Sequence, residues 1–149
     1  MLRKKVSLSA AQVDSAGTSP VKIMDGVAGY VIVPRIAVMQ KPAGAAFNLG
    51  ASSFPQLKYD NTAKTAVVSI GSVGTLDQTD EATTISTLSF LLNLLADESA
   101  AEVGGKGLLF GTNGNGDYTV GSPVTLVLWY ELVPISAALL AVFPFDSLP

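Results

Sequence analysis

The stretch Val124-Thr125-Leu126-Val127-Leu128-Trp129-Tyr130-Glu131-Leu132-Val133 decides the fold class. Leu126, Leu128, Tyr130 and Leu132 fall on one side of an extended chain; Thr125, Val127, Trp129 and Glu131 fall on the other. Successive side chains of a strand point to opposite faces, so this two-residue period predicts a β-strand. Residues 30–39 repeat the pattern. Tyr30, Ile32, Ile36 and Val38 are expected on one face, and Val31, Val33, Arg35, Ala37 and Met39 on the other. Pro34 has no N–H to give to a ladder, so this second strand lies at an edge or is bulged there.

Shorter strand candidates occupy residues 21–23, 46–49, 56–59, 66–70 and 106–110. Turn signals separate them: Asp25-Gly26, Asp60-Asn61-Thr62 and the glycine-rich run from Gly111 to Asp117. Ser9 and Gln12 have the spacing of a capping box, which predicts a short helical turn. Residues 83–95 read two ways. Leu88, Phe90, Leu92 and Leu94 alternate, whereas Ile85, Leu88, Leu92 and Leu95 make a helical stripe. The Ile, Thr and Phe content favours a strand over 85–92, followed by a helical turn over 96–103. Seven or eight short strands with Gly, Pro and Asn between them predict an all-β, antiparallel β-sandwich, with a jelly roll as the preferred form. In this reading residues 1–6 are a flexible N-terminus, 7–133 the sandwich and 134–149 an apolar C-terminal arm.

Composition narrows function. The 149 residues suit one domain. There is no His and no Cys, which removes thiolate nucleophiles, disulfides, His general bases and Cys/His zinc sites. Net charge is −3, so docking on nucleic acid is not expected. Mean hydropathy is +0.43. The longest uncharged apolar run, residues 132–145, is broken by Pro134 and Pro144 and is short of a bilayer span, so no membrane anchor is expected. Charged residues make up only 14%, against about 25% in an average domain. Interfaces are depleted of charge at their centres, so much of this surface is expected to be covered by copies of the chain or by a partner.

Motifs that would carry chemistry are weak. Gly114-Asn115-Gly116-Asp117 has a single copy of a pattern that binds calcium only when stacked, and it reads as a hairpin loop. Gly104-Gly105-Lys106-Gly107 lacks P-loop spacing and reads as a turn before a strand. Asp80-Glu81 and Asp97-Glu98 are adjacent pairs, not carboxyls set across a cleft, so no glycosidase site is read. With Asp77 and Glu102 they form a negative stretch that is either solvated surface or a face for a positive partner. Arg3-Lys4-Lys5 is a small basic cluster, read as a solvated terminus or a contact with an acidic partner. No catalytic residue, cofactor or metal site is expected. The candidate interface residues are Met39, Val127 and Trp129, with Leu139, Leu140, Phe143 and Phe145 in the arm, which packs either on its own sandwich or on a neighbouring subunit.

Several segments together resemble a known family. Residues 8–13 (Leu8-Ser9-Ala10-Ala11-Gln12-Val13), Ser19-Pro20-Val21-Lys22-Ile23 and Gly29-Tyr30-Val31-Ile32-Val33-Pro34 are similar to the opening of small tailed-bacteriophage virion proteins. Leu57-Lys58-Tyr59 and Gly74-Thr75-Leu76-Asp77-Gln78-Thr79 look like that family's middle. Lys106-Gly107-Leu108-Leu109-Phe110 and the segment from Ser122-Pro123-Val124 to Val133 resemble its closing hairpin. The final strand is almost uncharged where the family often carries Arg, and residues beyond Pro134 have no counterpart. The resemblance implies a jelly-roll sandwich in a phage particle. It implies a cement or decoration protein, made in the host cytoplasm and placed on the capsid exterior. Its partners would be the major capsid protein and further copies of itself, as a homodimer or other homo-oligomer. The alternative is a tail- or fibre-associated module that recognises a virion partner or a host glycan, with Tyr118 near Asn113, Asn115 and Asp117 as the only glycan-like cluster.

Overall fold

The structure, a computed structural model, describes residues 1–46, 54–62, 66–70, 79–87, 103–113 and 122–135. They form eight strands and one short helix: β1 (Leu2–Leu8), α1 (Ala10–Asp14), β2 (Val21–Met24), β3 (Tyr30–Lys41), β4 (Pro55–Tyr59), β5 (Ala66–Ser69), β6 (Ala82–Thr87), β7 (Leu108–Thr112) and β8 (Val124–Pro134). Two four-stranded antiparallel sheets result. Sheet A has the order β1-β8-β3-β6 and sheet B the order β2-β7-β4-β5. The chain is an all-β sandwich.

The pairing follows one rule. β1 pairs with β8, β2 with β7, β3 with β6 and β4 with β5. The chain is thus a two-stranded ribbon whose closed end is the β4–β5 hairpin. Rolling that ribbon brings β3 against β8 and β4 against β7, which completes both sheets.

The core lies between the sheets. Ile32, Met39, Leu126 and Leu128 come from sheet A, and Leu57, Tyr59, Leu108 and Phe110 from sheet B. Tyr59 crosses the gap: its hydroxyl donates to the Ile32 carbonyl at 2.6 Å, which pairs a buried polar atom with a buried polar atom. β7, flanked by β2 and β4, is buried at every position. On its other face Leu109 stands between Lys22 and Lys58, whose aliphatic stems suit such a cover.

Local signals act as their chemistry requires. Ser9 caps α1: its hydroxyl accepts from the Gln12 N–H at 3.3 Å, and the Gln12 side chain accepts from the Ser9 N–H at 2.9 Å. The turn into β3 is closed by the Tyr30 N–H donating to the Val27 carbonyl, with Gly29 at φ 79°. Gly26 serves close approach: a Cβ built there would overlap the Gly105 carbonyl oxygen. The glycines around Lys106 therefore form a backbone junction ahead of β7, in keeping with the turn reading.

Three expectations need correction. Residues 1–6 are not a loose terminus: Leu2 to Leu8 pair with β8 residue by residue. The three cations concealed this, because an edge strand keeps its charged side chains in water while its backbone pairs on one side. The faces of β3 also differ from strict alternation. The ladder to β8 slips between Pro34 and Ile36, leaving Arg35 as the extra residue. The inward set is therefore Ile32, then Ala37 and Met39, while Ile36 and Val38 turn outward. At Pro34 the expected bulge is present: the ladder to β8 slips just past it, and the described pairing with β6 begins at Ile36. As a result Met39, expected as an interface contact, is 1% exposed and belongs to the core. Most of the strand candidate at 46–49, residues 88–102, the loop from Gly114 to Asp117, Tyr118, and the arm with Leu139, Leu140, Phe143 and Phe145 lie outside the described residues.

Candidate interaction face

The outer face of sheet A is built by register. Val127 of β8 stands opposite Lys5 of β1 on one side and Val38 of β3 on the other, and Val38 stands opposite Ile85 of β6. Directly opposed residues share a face, so Lys5, Val127, Val38 and Ile85 form one row across four strands. The next row runs Arg3, Trp129 and Ile36. One side of this face is thus cationic and its centre apolar and aromatic.

Coverage varies from residue to residue across this face. Val127 is only 6% exposed, so it supports its neighbours more than it offers surface. Trp129 is half-buried, and Ile85 is 68% exposed. The Arg3 guanidinium carbon lies 5.4 Å from the Trp129 ring centroid, a cation–π distance. This contact holds the ring from the β1 side.

Beside it, the bulge aims Arg35 at Glu131. Arg35 Nε and Nη2 both donate to Glu131 Oε2, at 2.9 and 2.6 Å. The pair is partly exposed, so its net contribution is under about 1 kcal/mol. Its chemical consequence is larger: Glu131 is engaged by Arg35, while Arg3 rests on the ring. On sheet B, Lys22 bridges Asp60 at 3.2 Å and Asp25 at 3.3 Å. The hydrogen bonds that the Lys22 ammonium donates to Asp60, first, and to Asp25 raise it above the ordinary lysine value. Burial pushes the Tyr59 phenol well above its ordinary value.

Among the described residues, no three His, Cys, Asp or Glu side chains are grouped to hold a metal ion, and no helix is long and apolar enough to cross a membrane. Asp80 and Glu81 are exposed at the entrance to β6. Of the expected interface residues, the fold brings Val127 and Trp129 onto one face and withdraws Met39. Sequence reading missed Arg3, Lys5 and Ile85 as members of that face. The signal for β1 was confined to Val6-Ser7-Leu8, whose alternation is interrupted by the charged run Arg3-Lys4-Lys5. Compared with known proteins, the chain matches no protein-family model, no curated protein and no solved structure.

Proposed function

We propose that this chain is a structural protein of a tailed-phage virion, a cement protein that binds the major capsid protein lattice and stabilises the head. The observation that carries the reading is the outer face of sheet A, where Trp129 stands half-buried among Ile36, Val38 and exposed Ile85, with cations along one side. Aromatic anchors within an apolar patch are where binding energy concentrates in protein interfaces. The winding of the ribbon supports the same reading: eight strands in the order β1-β8-β3-β6 and β2-β7-β4-β5 are how we understand a double-sheet jelly roll, an architecture common in viral capsid domains. Low charge content agrees with a surface meant to be covered.

The mechanism is adhesive. A contact of modest strength, repeated over a closed shell and shared among copies, sums to a large resistance against expansion. The test is co-sedimentation of the purified chain with phage heads stripped of it, followed by microscopy of the decorated particle. Saturable binding, with density for a two-sheet domain on the shell, is expected. Trp129→Ala should weaken binding on the order of thirtyfold, the scale of a hot-spot residue. Absence of the chain from purified virions, or its location in the tail, would overturn the cement reading.

A further inference from the structure

β1 offers an edge where backbone and charge chemistry coincide. It pairs with β8 along Leu2 to Leu8, and among the described residues it has no second strand neighbour. The outer side of such a strand presents N–H and C=O groups to solvent, a template for another strand. Arg3, Lys4 and Lys5 are all exposed. Among the described residues, none of these three forms an ion pair. The chain as a whole is net negative, so three adjacent cations on one edge are a local feature. Alternation sends Arg3 and Lys5 to the face of Trp129 and Val127, and Lys4 to the opposite face.

We propose that the β1 edge is a strand-addition site for an extended acidic segment of a partner protein, which joins sheet A as a fifth strand. In this mode main-chain hydrogen bonds supply affinity and alternating side chains supply selectivity. Carboxylates level with Arg3 and Lys5 make favourable cross-strand pairs, whereas a second β1 would set like charges against each other. The cations thus select the incoming strand: they refuse a copy of themselves and admit an acidic one. The site borders the face of the virion reading and shares Arg3 and Lys5 with it, but does not depend on that reading, since any partner with that chemistry satisfies it.

The experiment uses the full chain and three synthetic peptides: alternating Glu and Thr, alternating Lys and Thr, and the Glu/Thr peptide with a central Thr replaced by Pro at equal charge. Trp129 is the single tryptophan, and it touches Arg3, so its fluorescence reports occupancy. The Glu/Thr peptide should give a saturable change and slow amide exchange across residues 2–8. The Lys/Thr peptide should give neither. The proline peptide should bind on the order of tenfold more weakly or worse, because it lacks one ladder donor and distorts the strand. The double variant Arg3→Glu/Lys5→Glu, altered only at exposed positions, should lose affinity for the Glu/Thr peptide by on the order of a hundredfold and gain it for the Lys/Thr peptide. No saturable response to the Glu/Thr peptide overturns the proposal. So does equal binding of the proline peptide, which would mean charge attraction without a strand, and so does an unchanged affinity in the double variant. If the peptide tests fail while wild-type chain still binds heads, strand addition is wrong and the cement reading stands.

Discussion

Tyr59 joins the two sheets through one hydroxyl, and that atom makes the interior sensitive to alkali. Its bond to the Ile32 carbonyl is buried, so Tyr59→Phe should lower unfolding free energy by about 1–2 kcal/mol at neutral pH, read from denaturant midpoints. The sign at high pH follows from linkage. The folded state holds the phenolic proton above the ordinary value of 10.0, whereas the unfolded chain releases it there. The contribution is therefore complete below that pH and declines as pH rises above it. The raised Lys22 ammonium acts in the same direction above the ordinary value of 10.5. The gap between wild type and Tyr59→Phe should narrow above about pH 10, because the variant lacks the titrating group; a gap that stays constant would contradict the buried bond. The glycines supply a second contrast. Gly26→Ala drives a methyl into the Gly105 carbonyl and should cost about 3 kcal/mol or more. Gly29→Ala meets open space and bears only the cost of a positive φ, about 1–2 kcal/mol.

At the scale of the element, the bulge in β3 governs which side chains meet the core and which turn outward. Met39→Ala should cost about 2–5 kcal/mol by leaving a cavity. At low temperature, where the variant remains folded, its head binding should be unchanged. Ile36→Ala should show the reverse: a smaller stability loss and weaker head binding. The swapped outcome, with Ile36→Ala the more destabilising and Met39→Ala the one that weakens head binding, is what unbroken alternation from Ile32 requires and would contradict the bulge. This is also where sequence reading reached its limit. The period-two runs located β3 and β8, Ser9 and Gln12 located α1, and Pro34 announced an irregularity. Alternation cannot tell whether a proline comes with an extra residue or with none, because a one-residue slip exchanges the faces without changing the composition. Met39 was misplaced for that reason. β1 was missed for another: an edge strand buries little, so Arg3, Lys4 and Lys5 carry no hydrophobic signal of the pairing their backbone makes. Two residues of the candidate face, Val127 and Trp129, were legible from β8 alone; the rest depend on neighbours that only the register reveals.

For the molecule as a whole, the ribbon sets the order of assembly. Only β4 and β5 are close in sequence; every other rung joins segments progressively farther apart, and loop closure costs more entropy as the enclosed chain lengthens. Refolding should take milliseconds to seconds, the range of all-β domains with non-local pairing. Pulse-labelled exchange should protect β4 and β5 amides before those of β1. Early protection of β1 would argue against closure from the hairpin outward.

The same pairing has a consequence for synthesis. β1 leaves the ribosome long before β8 exists, so its row of cations is also its chaperone: solvated and mutually repelling, it resists sticking to other nascent chains during the wait. A neutral replacement of Arg3, Lys4 and Lys5 should therefore express as inclusion bodies even if the finished domain, once refolded, is as stable as the original.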